Sequence, residues 1–264
     1  MKKIFYTLIT GITCLISFTV FPIINGKIIN DNPSLKEKYN DIVAIFLDND
    51  GICTGSAIHP YIVLTVKHCA NEDFLLRVVK SNQLKDEDLH DSKSIYVIKP
   101  IVHSKNDLAL LILEKKLDIS FQEIHPLLTS AEVNEFLIQE EQRALILGFG
   151  VDENYDLTGH KRYKNVTNFS PHWFIDFFHE KIYVFSEGAD MGDSGGPVFI
   201  TRNGKERQVG IISTRSNLSS KFRAVRIDQY IDWIHEKIGF IQGKDDLLSD
   251  DFSKKIEQKF LSRR

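Results

Sequence analysis

The sequence lacks several features that mark particular classes of protein. Its 33 basic and 36 acidic residues leave a net charge of −3, so no excess of either sign favours nucleic acid or another strongly charged partner. The nine histidines show no spacing typical of a metal site, and we expect neither a metal nor a cofactor. With 264 residues and 42% hydrophobic content, the chain can still bury a sizeable core, in one large domain or two compact halves.

Cysteine is also scarce, with three residues in the chain. Cys14 lies in an amino-terminal segment that resembles an export signal, so removal of that segment would leave Cys53 and Cys69. An even pair in an oxidising compartment predicts a single disulfide. Two reduced thiols in the core are the alternative.

The amino terminus has the pattern of an export signal. Lys2 and Lys3 precede an uncharged run from Ile4 to Ile24, in the order of the basic and apolar regions of a signal peptide. We therefore assign residues 1–26 to a signal peptide and expect a secreted or periplasmic protein. The run also reaches the length of a short membrane-spanning helix. An uncleaved anchor, and with it attachment to a membrane, is the alternative.

Short β-rich segments with glycine and asparagine between them fill most of the remaining chain. Residues 53–58 and 61–66 predict a hairpin that turns at His59 and Pro60. Further strands are predicted at 42–46, 96–98, 108–113, 144–150, 181–185, 197–200 and 208–213. An all-β architecture is therefore favoured.

Four other segments do not follow this β-strand pattern. Apolar residues recur at helical spacing behind Asp228, a candidate N-cap, and predict one helix over 228–240. The polar stretch 80–94 predicts a solvated loop, and 130–143 a connector between two halves. Residues 241–264 form a charged extension that could hold a second amphipathic helix.

A glycine-rich segment carries the strongest chemical signal. Ser194 lies between Asp193 and the paired glycines Gly195 and Gly196, and glycine permits a sharp turn that a substrate can approach closely. A serine hydroxyl becomes a good nucleophile when a base takes its proton and a carboxylate orients that base. For this motif alone, an ordinary glycine-rich turn is the alternative.

Two earlier segments offer the base and the carboxylate. His68 follows a predicted strand within Thr65-Val66-Lys67-His68-Cys69, and a disulfide from Cys69 to Cys53 would fix it at the strand end. Asp107 stands at the start of a buried strand, where a carboxylate needs hydrogen bonds such as a histidine ring N–H can donate. Taken singly, either residue could be an ordinary surface or turn residue.

Together, the segments around His68, Asp107 and Ser194 resemble, in order and spacing, the three signatures of the trypsin/chymotrypsin family of serine endopeptidases. The resemblance implies a peptidase domain at 27–240, made of two six-stranded antiparallel β-barrels packed together. The barrels would span about 28–125 and 141–227, followed by the closing helix. It also implies a protein or peptide substrate, no nucleic acid partner and a monomer.

The resemblance implies a role for each residue of the site. Ser194 would attack the scissile carbonyl, His68 would act as general base and then general acid, and Asp107 would orient the imidazole. The N–H groups of Gly192 and Ser194 would form the oxyanion hole. In this family the aspartate before the nucleophile pairs with an amino terminus freed by cleavage. Here that implies a zymogen cut after Lys27, with Ile28 pairing with Asp193.

The resemblance also identifies the residues of the specificity pocket. Gly188 falls at the base, where trypsin-like members carry an aspartate, and Phe222 falls on the far wall. Ser213, Thr214 and Arg215 fall on the substrate-binding strand. Open pockets in the family have glycine in place of Arg215 and Phe222, so we expect a shallow or blocked pocket, or one in which Arg215 binds an acidic side chain.

The expected function is that of a secreted serine endopeptidase made as a zymogen. Two alternatives stay open. One is a catalytically weak binding protein with this fold and an occluded pocket. The other is an esterase that uses the same three side chains, because fold and triad do not fix the substrate.

Overall fold

The computed structural model describes residues 23, 26–48, 51–85, 94–137, 143–152, 158–166, 169–171, 182–185, 188–215 and 222–242. The backbone alone is described at 169–171, 182–185, 215 and 240–242. Most of the predicted signal peptide 1–26, the centre of the polar loop 80–94 and nearly all of the extension 241–264 lie outside these residues. No helix in the described ranges is both long and apolar enough to cross a membrane.

Strands dominate the described residues, so the predicted all-β class is confirmed. The strands are β1 Lys27–Ile28, β2 Ile42–Phe46, β3 Ile52–His59, β4 Ile62–Thr65, β5 Arg77–Val79, β6 Ile95–Val102, β7 Ala109–Leu113, β8 Ala144–Gly148, β9 Arg162–Val166, β10 Phe169–Pro171, β11 Ile182–Phe185, β12 Pro197–Arg202, β13 Lys205–Arg215 and β14 Phe222–Arg226. Three helices accompany them: α1 Pro33–Lys38, α2 Val133–Leu137 and α3 Ile231–Gln242.

The first half of the chain closes into a barrel. Its strands are antiparallel and follow one another in the order β2-β3-β4-β7-β6-β5. Strands β2, β4 and β7 are buried along their whole length, because their Val, Ile and Leu side chains fill the barrel or pack against the second half. The predicted hairpin is present, but β3 runs through His59 and the turn falls at Pro60 and Tyr61.

The second half forms one sheet with the strand order β1-β9-β8-β12-β13-β14-β11-β10. It has eight strands where six were expected, because β1 and β10 pair at its two edges. Strand β1 comes from the segment that precedes the first barrel, and it places Lys27 opposite Tyr163 and Ile28 opposite Arg162. The amino-terminal segment therefore crosses over to the second half.

The predicted closing helix exists, but it begins at Ile231. Asp228 lies earlier, in a 3-10 turn at Ile227–Gln229. Its carboxylate accepts hydrogen bonds from Nε and Nη2 of Arg226, at 3.0 and 2.7 Å. The predicted N-cap role of Asp228 is therefore wrong, because the guanidinium of Arg226 holds the side chain.

Helix α3 packs back onto the first barrel. Tyr230, Ile231 and Ile234 belong to the same buried cluster as the barrel strands. The ring of His103 lies edge-on to the rings of Tyr230 and Trp233, with centroids 5.3 and 5.2 Å away. Tyr230 and helix α3 thus support the loop between β6 and β7, which carries Asp107.

The segment predicted as a polar connector contains the short helix α2. A 3-10 turn at Ser130–Glu132 leads into it, and Phe136 within it is fully buried in the core of the second half. The segment is therefore packed against the protein.

Candidate active site

His68 and Asp107 meet at the ends of two neighbouring strands of the first barrel. His68 lies in a 3-10 turn directly after β4, and Asp107 lies just before β7. These strands are paired, with Thr65 opposite Ala109. Nδ1 of His68 lies 3.1 and 2.9 Å from the two carboxylate oxygens of Asp107. Because a carboxylate only accepts, Nδ1 carries the proton and Nε2 is left as the acceptor.

Further hydrogen bonds keep Asp107 ionised. The backbone N–H of His68 donates to Oδ1 at 3.1 Å, and the hydroxyl of Ser213 donates to Oδ2 at 2.5 Å. Burial alone would raise the pKa of Asp107, but the hydrogen bonds and charge of His68, with the bond from Ser213, hold the pKa below its ordinary value. The carboxylate is therefore negative at neutral pH and can fix the tautomer of His68.

A disulfide ties the histidine turn to the adjoining strand. Cys53 in β3 and Cys69 at the end of the histidine turn are bonded, with a Cα–Cα distance of 6.2 Å. The predicted pairing is confirmed, and the alternative of two reduced thiols is wrong. The bond holds His68 from one side while Asp107 holds it from the other.

Ser194 lies on a tight turn that only glycine can complete. Gly195 has φ +87°, and a Cβ at this position would lie 2.0 Å from the carbonyl oxygen of Thr54 and 2.1 Å from Oγ1 of Thr65. Gly192 has φ +91°, which is likewise a left-handed conformation that favours glycine. The paired glycines of the motif therefore let the turn lie against the first barrel.

The backbone of this turn leaves two N–H groups free. In the described part of the chain, neither Gly192 nor Ser194 donates its N–H to a protein acceptor. The other three N–H groups of the turn donate to carbonyl oxygens: Asp193 to Asp190 at 3.0 Å, Gly195 to Ile212 at 2.7 Å and Gly196 to Asp193 at 2.8 Å. The two free groups are those that the sequence predicts as oxyanion donors.

The hydroxyl of Ser194 reaches the His68–Asp107 pair indirectly. It donates to the carbonyl oxygen of Ser213 at 3.4 Å, and Ser213 donates in turn to Asp107. Within the described residues, no hydrogen bond joins Ser194 to His68. Two of the three predicted catalytic side chains are therefore in direct contact, and the third is joined through Ser213.

Asp193 is fully buried. Its two carboxylate oxygens accept the N–H groups of Gly150, at 2.9 Å, and Asp190, at 3.0 Å. Burial raises its pKa to about 7, against the opposing effects of these bonds and of the charge of Arg162, and no described residue forms an ion pair with it. Ile28 lies in β1 opposite Arg162, and in the uncleaved chain its nitrogen belongs to the peptide bond with Lys27. The predicted pairing of Ile28 with Asp193 is absent from the uncleaved chain.

Comparison with known proteins adds independent evidence. The family model described as Trypsin matches residues 28–234. This chain belongs to the trypsin family. Serine protease 28 of Mus musculus is 24% identical over 218 aligned residues, which cover 71% of this chain and 78% of the mouse protein. The class predicted from the three motifs, a trypsin-like serine protease, is confirmed at the level of the family.

The residues predicted for the specificity pocket of this trypsin-family chain lie on neighbouring segments. Arg215 at the end of β13 is opposite Phe222 at the start of β14, and the side chain of Arg215 lies outside the described part. Phe222 is fully buried in the core of the second half. Ser213 is buried and Thr214 is exposed. A Cβ at Gly188 would lie 3.0 Å from the side chains of both Ile146 and Val166 and 3.6 Å from Cδ of Lys164, so the atoms nearest to it are aliphatic carbons.

Sequence reasoning missed a buried ionic cluster. His125 lies between two carboxylates, with Nδ1 2.9 Å from Asp41 and Nε2 3.1 Å from Glu206. Burial opposes the charge on His125, but the hydrogen bonds and charges of Asp41 and Glu206 raise its pKa to about 9. His125 is therefore a structural residue. No local pattern links it to Asp41, 84 positions away.

Thr54 was missed as well. Its hydroxyl donates to the carbonyl oxygen of Gly192 at 2.8 Å and accepts the N–H of Phe149 at 3.0 Å. The hydrogen bond from Thr54 to Gly192 joins residues 138 positions apart. No pattern in the sequence around Cys53 predicts it.

Proposed function

We propose that this chain is a secreted serine endopeptidase that hydrolyses peptide bonds through Ser194, His68 and Asp107. The observation that carries the proposal is the contact of His68 Nδ1 with Asp107 at 2.9 Å, in a chain that belongs to the trypsin family. That contact leaves Nε2 of His68 free to take a proton. Membership of the family supports protein or peptide substrates.

The proposed reaction uses Ser194, His68 and Asp107 in turn. The hydroxyl oxygen of Ser194 bonds to the scissile carbonyl carbon, its proton passes to Nε2 of His68, and the carbonyl π electrons move onto oxygen. When the tetrahedral intermediate collapses, the C–N bond breaks and His68 returns the proton to the leaving amine. Water then repeats the two steps on the acyl-enzyme and releases the acid. Asp107 stabilises the imidazolium each time.

We assign the oxyanion hole to the N–H groups of Gly192 and Ser194. Support comes from their lack of any acceptor in the described part of the chain, since a buried or half-buried N–H normally finds a partner. A negative oxygen between them would supply that partner in the transition state. Loss of one such donor costs on the order of 10²–10³ in rate.

We further propose that the chain is made as a zymogen. The support is the fully buried carboxylate of Asp193, which forms no ion pair with a described residue and whose pKa burial raises to about 7 despite the charge of Arg162. Cleavage after the exposed Lys27 would free the amino group of Ile28, and an ammonium beside Asp193 would restore its charged form. The turn that carries Gly192 and Ser194 would then be held by an ion pair.

We further propose that the protein is exported, is monomeric and has a shallow specificity pocket. The leader pattern and the Cys53–Cys69 disulfide support export, because such bonds persist in oxidising compartments. We expect a monomer. The burial of Phe222 and the aliphatic carbons nearest to Gly188 support a shallow pocket, so we expect small side chains before the cleaved bond, or acidic ones if Arg215 turns toward the pocket.

The test is covalent labelling with a fluorophosphonate, which bonds to an activated serine and releases fluoride. We expect the chain cleaved after Lys27 to be labelled and Ser194→Ala to remain unlabelled, with Ser120→Ala, an exposed serine, as the matched control that labels normally. A peptide library should then be cut after small or acidic residues. Cutting after Lys, Arg or Phe would contradict the pocket assignment alone.

One observation favours a second candidate. Phe222 is packed in the core at a predicted pocket wall, as expected for a protease-fold protein that binds a partner without cleaving it. Absence of labelling in the cleaved chain would support that function. Labelling with ester hydrolysis but without peptide cleavage would support an esterase.

A further inference from the structure

We propose that the hydroxyl of Thr54 is a positioning group for the oxyanion-binding N–H groups. Thr54 belongs to β3 of the first barrel, beside the disulfide-bonded Cys53, and is fully buried. The serine turn belongs to the second half. The inference rests on the proposed function and names a side chain that acts on the same site from the opposite half of the molecule.

The direction of its hydrogen bonds follows from the chemistry of its partners. The N–H of Phe149 can only donate, and the carbonyl oxygen of Gly192 can only accept. The single hydroxyl proton of Thr54 therefore points at Gly192, at 2.8 Å, while a lone pair receives Phe149 at 3.0 Å. Both of these bonding functions are used by a side chain that is itself fully buried.

Thr54 holds two peptide units of the serine turn. The carbonyl of Gly192 shares a planar unit with the N–H of Asp193, which donates to Asp190 at 3.0 Å. The carbonyl of Ser194 accepts the backbone N–H of Thr54 at 2.8 Å, and the same unit donates through Gly195 at 2.7 Å. The unit that carries the N–H of Ser194 lies between these two. The two peptide units that flank the N–H of Ser194 are thus each held by a hydrogen bond at their carbonyl and at their N–H. In both units, Thr54 is the partner of the carbonyl oxygen.

The same hydroxyl reaches the loop that holds Asp193. Phe149 stands next to Gly150, whose N–H donates to Asp193 at 2.9 Å. A Cβ at Gly192 would lie 2.7 Å from the Cα of Gly150, so the turn and this loop are in close contact. Thr54 therefore acts as the shared partner of the two segments that shape the oxyanion site.

The side chain is distinguished from its neighbour on the same face of β3. Ser56 is also fully buried, but its hydroxyl has no hydrogen-bond partner in the described structure. Ser56→Ala and Thr54→Val each remove one buried hydroxyl from the same strand. They differ in whether that hydroxyl contacts the serine turn, which makes Ser56→Ala the matched control.

The experiment compares the cleaved wild type with Thr54→Val, Thr54→Ser and Ser56→Ala, using fluorophosphonate inactivation and hydrolysis of p-nitrophenyl acetate. Val matches threonine in shape but leaves Gly192 and Phe149 unpaired, so the turn must rotate to recover partners. We expect Thr54→Val to lower the inactivation rate and kcat about 10- to 100-fold, a part of the loss caused by deleting an oxyanion donor. KM should change less than threefold. Thr54→Ser and Ser56→Ala should stay within threefold of wild type in both measurements.

Other results would contradict either the role of Thr54 or the proposed function. Wild-type kcat and inactivation rate in folded Thr54→Val would overturn the role of Thr54 and leave the proposed function standing. An equal loss in Ser56→Ala, or no rescue by Thr54→Ser, would assign the effect to general packing and overturn it as well. Absence of reaction in the wild type would overturn both proposals. If Thr54→Val does not fold, Thr54→Ala carries the same expectations.

Discussion

The first barrel and the second half differ in what they bury. Among the described residues of 42–113, the buried polar side chains are hydroxyls, one amide and one imidazole: Thr54, Ser56, His59, Thr65 and Asn106. From residue 143 onward the buried set includes Asp152, Lys161, Arg162, Asp190, Asp193 and Asp228. Withdrawing an ion from water costs several kcal/mol. Most of this electrostatic cost falls on the second half, while the first half carries it chiefly at Asp41, directly before β2.

The candidate site lies between these two halves, and its parts differ in the same way. On the barrel side, the disulfide and the Asp107 contacts already hold His68. In the second half, burial shifts the pKa of Asp193 up to about 7 and the pKa of Lys161 down to about 7. The proposed base and its orienting acid, His68 and Asp107, are in contact in the uncleaved chain, while beside Ser194 the carboxylate of Asp193 forms no ion pair with a described residue.

The largest effect on activity is expected from a substitution in the first barrel that disrupts the contact between Asp107 and His68. Asp107→Asn keeps the shape but can present an N–H to Nδ1 of His68, which favours the wrong tautomer. We expect kcat of the cleaved enzyme to fall about 10⁴-fold with little change in folding. The measurement is hydrolysis of p-nitrophenyl acetate together with thermal unfolding.

The control for this change is Asp73→Asn, an exposed aspartate of the same half, which should keep full activity. A loss of less than tenfold in Asp107→Asn would mean that Asp107 does not orient the base. The claim that the first barrel already holds His68 ready to act as a base would then be wrong.

The next effect concerns the joint between the two halves. His125 contacts Asp41, which precedes β2 of the barrel, and Glu206, which lies in β13 of the second sheet. His125→Phe retains the ring packing on Tyr39 and Phe199 but leaves both carboxylates without it. We expect a loss of about 3–5 kcal/mol in the free energy of unfolding, measured by urea denaturation at pH 6. Lys38→Met, which removes a half-exposed partner of Glu206, should cost less than about 1 kcal/mol.

The same variant sharpens the comparison through pH. The pKa of His125 is raised from 6.5 to about 9 in the folded protein, so its stabilisation is complete below pH 6.5 and disappears as pH rises through 9. Burial opposes ionisation of Glu206, but bonds from His125, Lys38 and Tyr39 lower its pKa from 4.5 to about 2. Its stabilisation is complete above pH 4.5 and is lost as pH falls toward 2. The loss of stability between pH 6.5 and 9 should be smaller in His125→Phe, and an unchanged slope would contradict the assignment.

Local sequence patterns predicted the parts of the site that depend on neighbours in the chain. Patterns of apolar residues predicted the strands beside His68 and Asp107. The even number of cysteines left after removal of an export signal predicted the Cys53–Cys69 bond. The glycines around Ser194 predicted a close turn, because their conformations and contacts leave no room for a Cβ. The roles of these residues in catalysis stay predictions.

The features that sequence reasoning missed depend on contacts between distant segments. The bond from Thr54 to Gly192 spans 138 positions, and no residue near either end requires the other. Asp228 was mistaken for a helix cap because Arg226, two residues earlier, competes for its carboxylate. The extra edge strand β1 arises from tertiary packing of the amino-terminal segment, which its short sequence does not specify.

The most direct test of the central claim is the rate at which a fluorophosphonate labels Ser194 before and after cleavage of the Lys27–Ile28 bond. Amino-terminal sequencing should show Ile28 as the new first residue. We predict a rise of at least about a hundredfold on cleavage, the scale of one oxyanion donor, and no such rise in Asp193→Asn. Equal labelling of the cleaved and uncleaved chains, or a full rise in Asp193→Asn, would contradict the claim that the second half is completed by cleavage.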